Sequence, residues 1–206
     1  MQHFMLRESP ELLSIIILTI LIGRCIHPRI PIVAFIVLVF MLYFYRIPKL
    51  SFRPDSGCLV SPAYGTISRI LQLPNNRVLL SIFLNPFDVH AQYFPCDGRV
   101  IEQIYDWNGK FSIASDAYKS DDNEKMITIL KTDTDIIKIT QIAGILVRRI
   151  STPNYTGRFV RQADYLGFIK FGSRVDIEFS LDRYRLVDSI RVGSVLSGPN
   201  STIAEK

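Results

Sequence analysis

Hydrophobic and polar positions follow two different patterns along this chain, and the change falls near residue 50. Before it stand two almost uninterrupted apolar runs, LLSIIILTILIG (12–23) and PIVAFIVLVFMLYFY (31–45), which are separated by the stretch RCIHPRI. From residue 55 onward, short runs rich in Val, Ile and Phe are broken by Pro, Gly, Asn and Asp. Long apolar runs predict helices, and short β-branched runs between turn residues predict the strands of a sandwich or barrel.

These patterns predict a mainly β protein, with a small β sandwich or barrel-like domain at 55–206 and an N-terminal membrane-associated helical hairpin at 1–54. Each apolar run is shorter than the roughly 20 residues that span a bilayer comfortably. No small-residue cleavage site of a signal peptide follows the second run. Three interpretations stay open: a hairpin that spans or dips into the membrane, a second helix that spans alone while the first lies at the interface, and a hairpin buried in a soluble core.

Basic residues follow the second apolar run in the stretch YRIPKLSFR, at Arg46, Lys49 and Arg53. Positive charge beside an apolar segment favours the cytoplasmic side of a membrane. We therefore expect a membrane-associated protein whose β domain lies on the cytoplasmic face.

Composition narrows the range of partners. The hydrophobic content is 48%, the mean hydropathy is +0.21 and the net charge is +5, which fits contact with anionic lipid headgroups as well as with nucleic acid. No dense Lys/Arg cluster with interleaved aromatic residues occurs, so nucleic acid is not an expected partner.

The cysteines Cys25, Cys58 and Cys96 have no CxxC spacing, which indicates a reducing compartment. No metal site is expected, because the histidine of the β domain lacks further ligands at a suitable spacing.

The stretch YLGFIKFGSRVDIEF (165–179) reads as one strand that is interrupted by Gly172 and Ser173. Glycine inside a strand weakens it and marks a bulge or a close backbone approach. Glycine before a serine also permits a strained backbone and leaves the glycine carbonyl open to attack by the serine hydroxyl. The residues alone leave a simple bulge and a reactive serine as alternatives.

His90 is the one histidine of the predicted β domain, in the stretch FLNPFDVHAQYFPCDG. Asp88 stands two residues earlier, and residues i and i+2 of a strand face the same side. The spacing therefore predicts a carboxylate–imidazole pair that makes His90 a better base. A histidine that is merely packed in the fold is the alternative.

Several stretches taken together resemble the short (type A) phosphatidylserine decarboxylase proenzymes. They follow the same order at similar spacing, and the resemblance covers nearly the whole chain. The stretches are YFYRIPK, FDVHAQYFPCDG, DDNEK, QIAGILVRRI, GFIKFGSRVD and the ending RVGSVLSGPNSTIAEK.

The resemblance implies a proenzyme that cleaves itself between Gly172 and Ser173. The Ser173 hydroxyl would attack the Gly172 carbonyl to give an ester, and elimination would leave a residue 173 that becomes a covalent pyruvoyl group. That group would form a Schiff base with phosphatidylserine and give phosphatidylethanolamine. The implied catalytic residues are Ser173 and His90, to which the spacing of Asp88 from His90 adds Asp88 as a third. The implied partners are the phospholipid membrane, its phosphatidylserine and the two cleavage chains as a heterodimer, while homo-oligomerisation stays open.

One position departs from the family pattern. Where the family has a P-A-D-G turn whose Asp orients the histidine, this chain has SPAYG, with Tyr64 in the Asp position. A phenol has a pKa near 10 and is neutral at pH 7, so it cannot stabilise an imidazolium as a carboxylate does; Asp88 is the candidate substitute. Three hypotheses follow: an active decarboxylase, a degenerate unprocessed relative that binds lipid or acts as a scaffold, and a pyruvoyl enzyme for another substrate, such as an archaeal-type serine lipid.

Overall fold

The first structural unit of the chain ends at Lys49 and contains two helices, α1 (Pro10–Ile26) and α2 (Arg29–Phe44). The computed structural model describes residues 10–51, 55–109, 123–144, 150–170 and 173–206. Both predicted apolar runs are therefore helical, as expected. The predicted basic residue Arg53 lies outside the described residues.

Local sequence explains why α1 and α2 are separate helices. Pro28 disfavours helical geometry at the residue before it, and α1 accordingly ends at Ile26. His27 bridges the turn, since its backbone NH donates to the Gly23 carbonyl and its carbonyl accepts from Ile30. A side chain at Gly23 would come within 2.4 Å of Ile30, so this glycine lets the two helices meet closely.

The helices are short and apolar. At 17 and 16 residues and 1.5 Å per residue, they are each about 25 Å long. Among the residues that the structure describes, no helix combines the length and the hydropathy needed to cross a membrane.

The second unit, Leu50–Lys206, is built from strands. The sequence predicted a mainly β, barrel-like domain here, and the structure confirms it. The described strands are β1 (Cys58–Val60), β2 (Tyr64–Leu73), β3 (Arg77–Leu84), β4 (Ala91–Tyr93), β5 (Gly98–Asp106), β6 (Lys125–Lys131), β7 (Ile136–Ile142), β8 (Ile150–Ser151), β9 (Phe159–Val160), β10 (Tyr165–Ile169), β11 (Ser173–Ser180), β12 (Arg185–Leu186), β13 (Val195–Ser197) and β14 (Thr202–Glu205).

These strands form three antiparallel sheets. The largest curls into a half-barrel and has the order β13-β2-β3-β11-β7-β6-β5-β9. The two small sheets have the orders β4-β10-β8 and β1-β14-β12. The functional division of the chain at 54/55 stays a prediction.

Strand β11 lies in the middle of the large sheet, where its two faces meet different surroundings. Val175, Ile177 and Phe179 are fully buried in the hydrophobic core, whereas Arg174 and Asp176 alternate with them and point to the opposite face. Neighbouring β3 contributes Leu80, Ile82 and Leu84 to the same core.

The prediction of one strand over 165–179 is wrong. Strand β10 ends at Ile169 in the sheet β4-β10-β8, and β11 begins at Ser173 in the large sheet. Apolar residues continue on both sides of the junction because both strands are buried, so the hydrophobic pattern carried no sign that the chain changes sheet there.

Candidate active site

Ser173 is the first residue of β11 and lies where the chain enters the large sheet. Its backbone pairs with Leu84, the last residue of β3. On the other side of the junction, the backbone NH of Ile169 donates to the His90 carbonyl at 3.4 Å. The two ends of the turn 85–89 are therefore held to Ser173 and to Ile169, and this topology brings Ser173 and His90 to the same part of the fold. Gly172 lies outside the described residues.

The Ser173 side chain is fully buried. Among the described residues its Oγ has no hydrogen-bond partner. Leaving a buried polar group unsatisfied costs about 1–3 kcal/mol, and such groups are uncommon enough to require an explanation. One such explanation is that the hydroxyl is a reactive group.

His90 follows directly after the turn and is also fully buried. Its Nδ1 lies 2.9 Å from the main-chain carbonyl oxygen of Asp88. A carbonyl oxygen can only accept, so Nδ1 carries the proton in the neutral ring and Nε2 carries the lone pair. The geometry thus fixes the tautomer in which Nε2 is able to take a proton.

The expected pair between the Asp88 carboxylate and the imidazole does not form. Asp88 Oδ2 accepts from the backbone NH of Asn85 at 2.7 Å, while the Asp88 backbone NH donates to the Asn85 carbonyl at 2.8 Å. These residues form a turn and not a strand, so the rule that places i and i+2 on one face does not apply. Asp88 holds His90 through its main chain, and a catalytic role for its carboxylate stays a prediction.

Tyr64 is the first residue of β2 and pairs with Ser197 on β13. Its ring packs so closely on Gly198 that a side chain there would come within 2.3 Å of Tyr64 Cε2. It also meets Tyr93 edge-on, with the ring centroids 6.4 Å apart. Burial raises the pKa of the Tyr93 phenol, with a smaller contribution from Tyr64, so this part of the site is aromatic and uncharged. The role of Tyr64 as an orienting position stays a prediction.

A buried ion pair lies on the opposite face of β11, immediately after Ser173. Arg174 Nη2 donates to Asp176 Oδ2 at 2.9 Å, and Arg69 Nη2 stands 3.9 Å from the same oxygen. Burial raises the pKa of the Asp176 carboxyl, while the charge of Arg174 lowers it. These three side chains line an open cavity of about 300 Å³.

Sequence reasoning missed a chain of side-chain hydrogen bonds that begins at the His90 carbonyl. It runs through Gln92 and Gln141 to Thr152. Nothing in the hydrophobic pattern distinguishes these polar residues, which stand in or next to strands. Only the position of Gln141 in the stretch QIAG and of Gln92 two residues after His90 could have marked them.

No group of three or more His, Cys, Asp or Glu side chains in the described part of the chain could hold a metal ion. A buried serine at the beginning of a strand, in the same part of the fold as a histidine whose Nε2 can accept a proton, provides the two groups that a nucleophile–base site requires.

Comparison with known proteins places this site in a family. The model of the phosphatidylserine decarboxylase family matches residues 37–198, and the chain belongs to that family. It is 38% identical over 159 residues to the phosphatidylserine decarboxylase proenzyme of Porphyromonas gingivalis, covering 73% of this chain and 72% of that protein. Over 209 residues it is 29% identical to the proenzyme of the same name from Pelagibacter ubique, covering 97% and 95% of the two chains.

A third relative carries a different substrate in its name. The chain is 32% identical over 191 residues to a protein of Methanothermobacter thermautotrophicus that is provisionally named archaetidylserine decarboxylase proenzyme. The match covers 83% of this chain and 82% of that protein.

Proposed function

We propose that this protein is a proenzyme that cleaves itself between Gly172 and Ser173 and then converts phosphatidylserine to phosphatidylethanolamine. The observation that carries the proposal is the buried hydroxyl of Ser173, which has no hydrogen-bond partner among the described residues and stands at the beginning of β11. Membership of the phosphatidylserine decarboxylase family supports the reaction class.

The residues of this chain suffice for the proposed self-cleavage. His90 Nε2 takes the hydroxyl proton of Ser173 as Oγ attacks the Gly172 carbonyl carbon, and the peptide C–N bond breaks to leave an ester and the free amine of residue 173. Removal of the α-proton of residue 173 then expels the Gly172 carboxylate. The dehydroalanine that remains takes up water and loses ammonia, which leaves a ketone at position 173.

The buried position of residue 173 fits a pyruvoyl group, since the ketone would stand where Ser173 is now shielded from bulk water. Once formed, this ketone supplies an electron sink for decarboxylation through a Schiff base with the amine of the serine headgroup.

Strand pairing supports the proposal that both cleavage chains stay together as a heterodimer. The fragment 173–206 would contain β11 to β14. Strand β11 pairs with β3 along its full length and with β7 over 174–178, while β13 pairs with β2 and β14 pairs with β1. A fragment held in all these ladders needs no covalent link to remain in the fold.

The helical unit supports attachment to a membrane, with the β domain on its cytoplasmic face. Both helices expose large apolar side chains, such as Leu21 at 67% and Ile36 at 62%, far beyond what a water-facing helix carries. Short helices that are apolar around most of their circumference favour a hairpin that dips into the bilayer. The exposed Lys49 follows the second helix, and positive charge beside an apolar segment favours the cytoplasmic side of the membrane.

The resemblance to the archaeal relative supports a second candidate substrate. Archaetidylserine is the lipid that the name of that relative contains, and it offers the same serine headgroup to residue 173. Rates of carbon dioxide release from vesicles that contain one or the other lipid distinguish the two candidates.

The intact mass of the full chain under denaturing conditions tests the proposal. We expect the natural chain to give a fragment 173–206 that is blocked at its N-terminus and reacts with hydrazine, and Ser173→Ala to give one uncut chain. Ser180→Ala, at the other end of the same strand, is the matched control and should be cut normally. A natural chain that stays whole in lipid or detergent would support the unprocessed lipid-binding or scaffold protein, with Tyr64 as the lesion.

A further inference from the structure

Three buried or half-buried side chains form a continuous hydrogen-bonded chain that starts at His90. Gln92 Nε2 donates to the His90 carbonyl oxygen at 2.5 Å, and Gln141 Nε2 donates to Gln92 Oε1 at 2.9 Å. Thr152 Oγ1 donates to Gln141 Oε1 at 2.7 Å. Both glutamines are fully buried. We call Gln92, Gln141 and Thr152 the amide relay.

The amide relay connects the two sheets between which the chain crosses at Ser173. Gln92 belongs to β4 and Thr152 follows β8, so both lie at the sheet β4-β10-β8. Gln141 belongs to β7 of the large sheet and pairs with Val175, two residues after Ser173. The relay is therefore a polar connection between β7, the neighbour of the strand that carries Ser173, and β4, the strand that follows His90.

The backbone packs closely against the relay at Gly167. A side chain at Gly167 would come within 2.4 Å of Thr152 Oγ1 and 2.8 Å of Gln141 Nε2. Within the relay, each amide donates through its nitrogen on the side towards His90 and accepts through its oxygen on the other side. Turning a single amide around would therefore place two donors or two acceptors opposite each other.

We propose that Gln92, Gln141 and Thr152 are positioning residues for self-cleavage, which keep His90 at a fixed place relative to Ser173. The inference rests on the proposed function, because it concerns the same reaction. His90 is held at both ends: its ring is bonded to the Asp88 carbonyl, and its own carbonyl accepts from the relay. Loss of a relay bond would let the β4 sheet shift against β11, and a displacement of about 1 Å at a reacting pair can cost 10²-fold in rate.

The test compares isosteric variants of the full chain. Thr152→Val removes the hydroxyl and keeps the shape, and we expect self-cleavage to slow by about 10- to 100-fold, with Thr152→Ser restoring most of the rate. Thr132→Val is the matched control, because Thr132 Oγ1 also donates a hydrogen bond, to the Asp135 carbonyl oxygen at 3.0 Å, and lies at the β6–β7 turn, at the opposite end of β7 from Gln141. This control should cut at the natural rate even if its melting temperature falls as much as that of Thr152→Val. Equal rates for Thr152→Val and the natural chain would overturn the proposal.

A second measurement keeps the proposal separate from the proposed function. In a Ser173→Ala background, ¹⁵N-histidine NMR reports the ring of His90, which a His90→Gln variant assigns. We expect Thr152→Val to shift or broaden this signal and Thr132→Val to leave it unchanged. A natural chain that never cuts would refute the proposed function alone, and the response of the His90 signal would still test the positioning role of the relay. A His90 signal that is identical in both variants would refute that positioning role.

Discussion

Gly65 stands at a place in the fold that a side chain would disturb next to Ser173. Its φ is +141°, a conformation that residues with a Cβ rarely adopt. A Cβ at this position would come within 2.2 Å of the Phe83 carbonyl oxygen and 3.3 Å of Leu84 Cα. Leu84 is the residue whose backbone pairs with Ser173, so Gly65→Ala perturbs the site through one intervening strand.

The size of the effect follows from these distances. An ordinary contact between such atoms needs about 3.5 Å, so the end of β3 has to move by about 1 Å. The unfavourable backbone conformation adds roughly 1–3 kcal/mol, which a domain with about 5–15 kcal/mol of stability survives. We expect Gly65→Ala to fold, to lose roughly 2–6 kcal/mol of stability from backbone strain and crowding together and to cut itself about 100-fold more slowly, as misplacement by 1 Å predicts.

The assay follows the appearance of the fragment 173–206 by gel and mass spectrometry after synthesis, with the melting temperature measured on the same samples. Gly98→Ala is the control, because a Cβ there would come within 2.7 Å of the Lys131 carbonyl oxygen. It crowds a strand pair at the other end of the large sheet, away from Ser173. If both variants lost stability but cut at the natural rate, the inference that Leu84 fixes Ser173 would be wrong.

Three further predictions concern the residues around the site and the core. Asp88→Asn should cut within about threefold of the natural rate, because its amide oxygen can still accept from Asn85; a complete block in the gel assay would show that the charge itself is required. Tyr64→Asp should speed self-cleavage several-fold if position 64 orients the histidine, at a cost of about 1 kcal/mol in lost packing, and an unchanged rate beside Tyr64→Phe would argue against that role. Burial raises the pKa of the Cys96 thiol from 9.0 to about 12, so the unfolded chain loses this proton first and stability falls as pH rises from 9 towards 12. The free energy of unfolding in urea should be about 2 kcal/mol lower at pH 10.5 than at pH 8 because of this thiol. Cys96→Ala should remove that part of the difference, and an unchanged difference in that variant would refute the assignment.

Much of the fold was predictable from hydrophobic periodicity, and part of the site was not. The helical runs before residue 50 and the short strands after residue 55 follow directly from where apolar residues stand. The geometry of His90 was not accessible in this way, because the chain from Asn85 to Asp88 folds into a turn that presents the main-chain carbonyl of Asp88, and not its carboxylate, to the imidazole. The amide relay was missed for a related reason, since Gln92 and Gln141 become partners only after two sheets have packed.

The position of Ser173 has a consequence for the order of folding and cleavage. Strand β10 ends at Ile169 and β11 begins at Ser173, so a cut between 172 and 173 falls between the two ladders and divides neither strand. The hydroxyl and the Nε2 of His90 reach their places only when β3, β4, β10 and β11 have paired, because Leu84 and Ile169 fix the two ends of the junction. In the proposed self-cleavage the fold therefore has to form before the bond is cut, and the same contacts that assemble the site would then hold the two chains together.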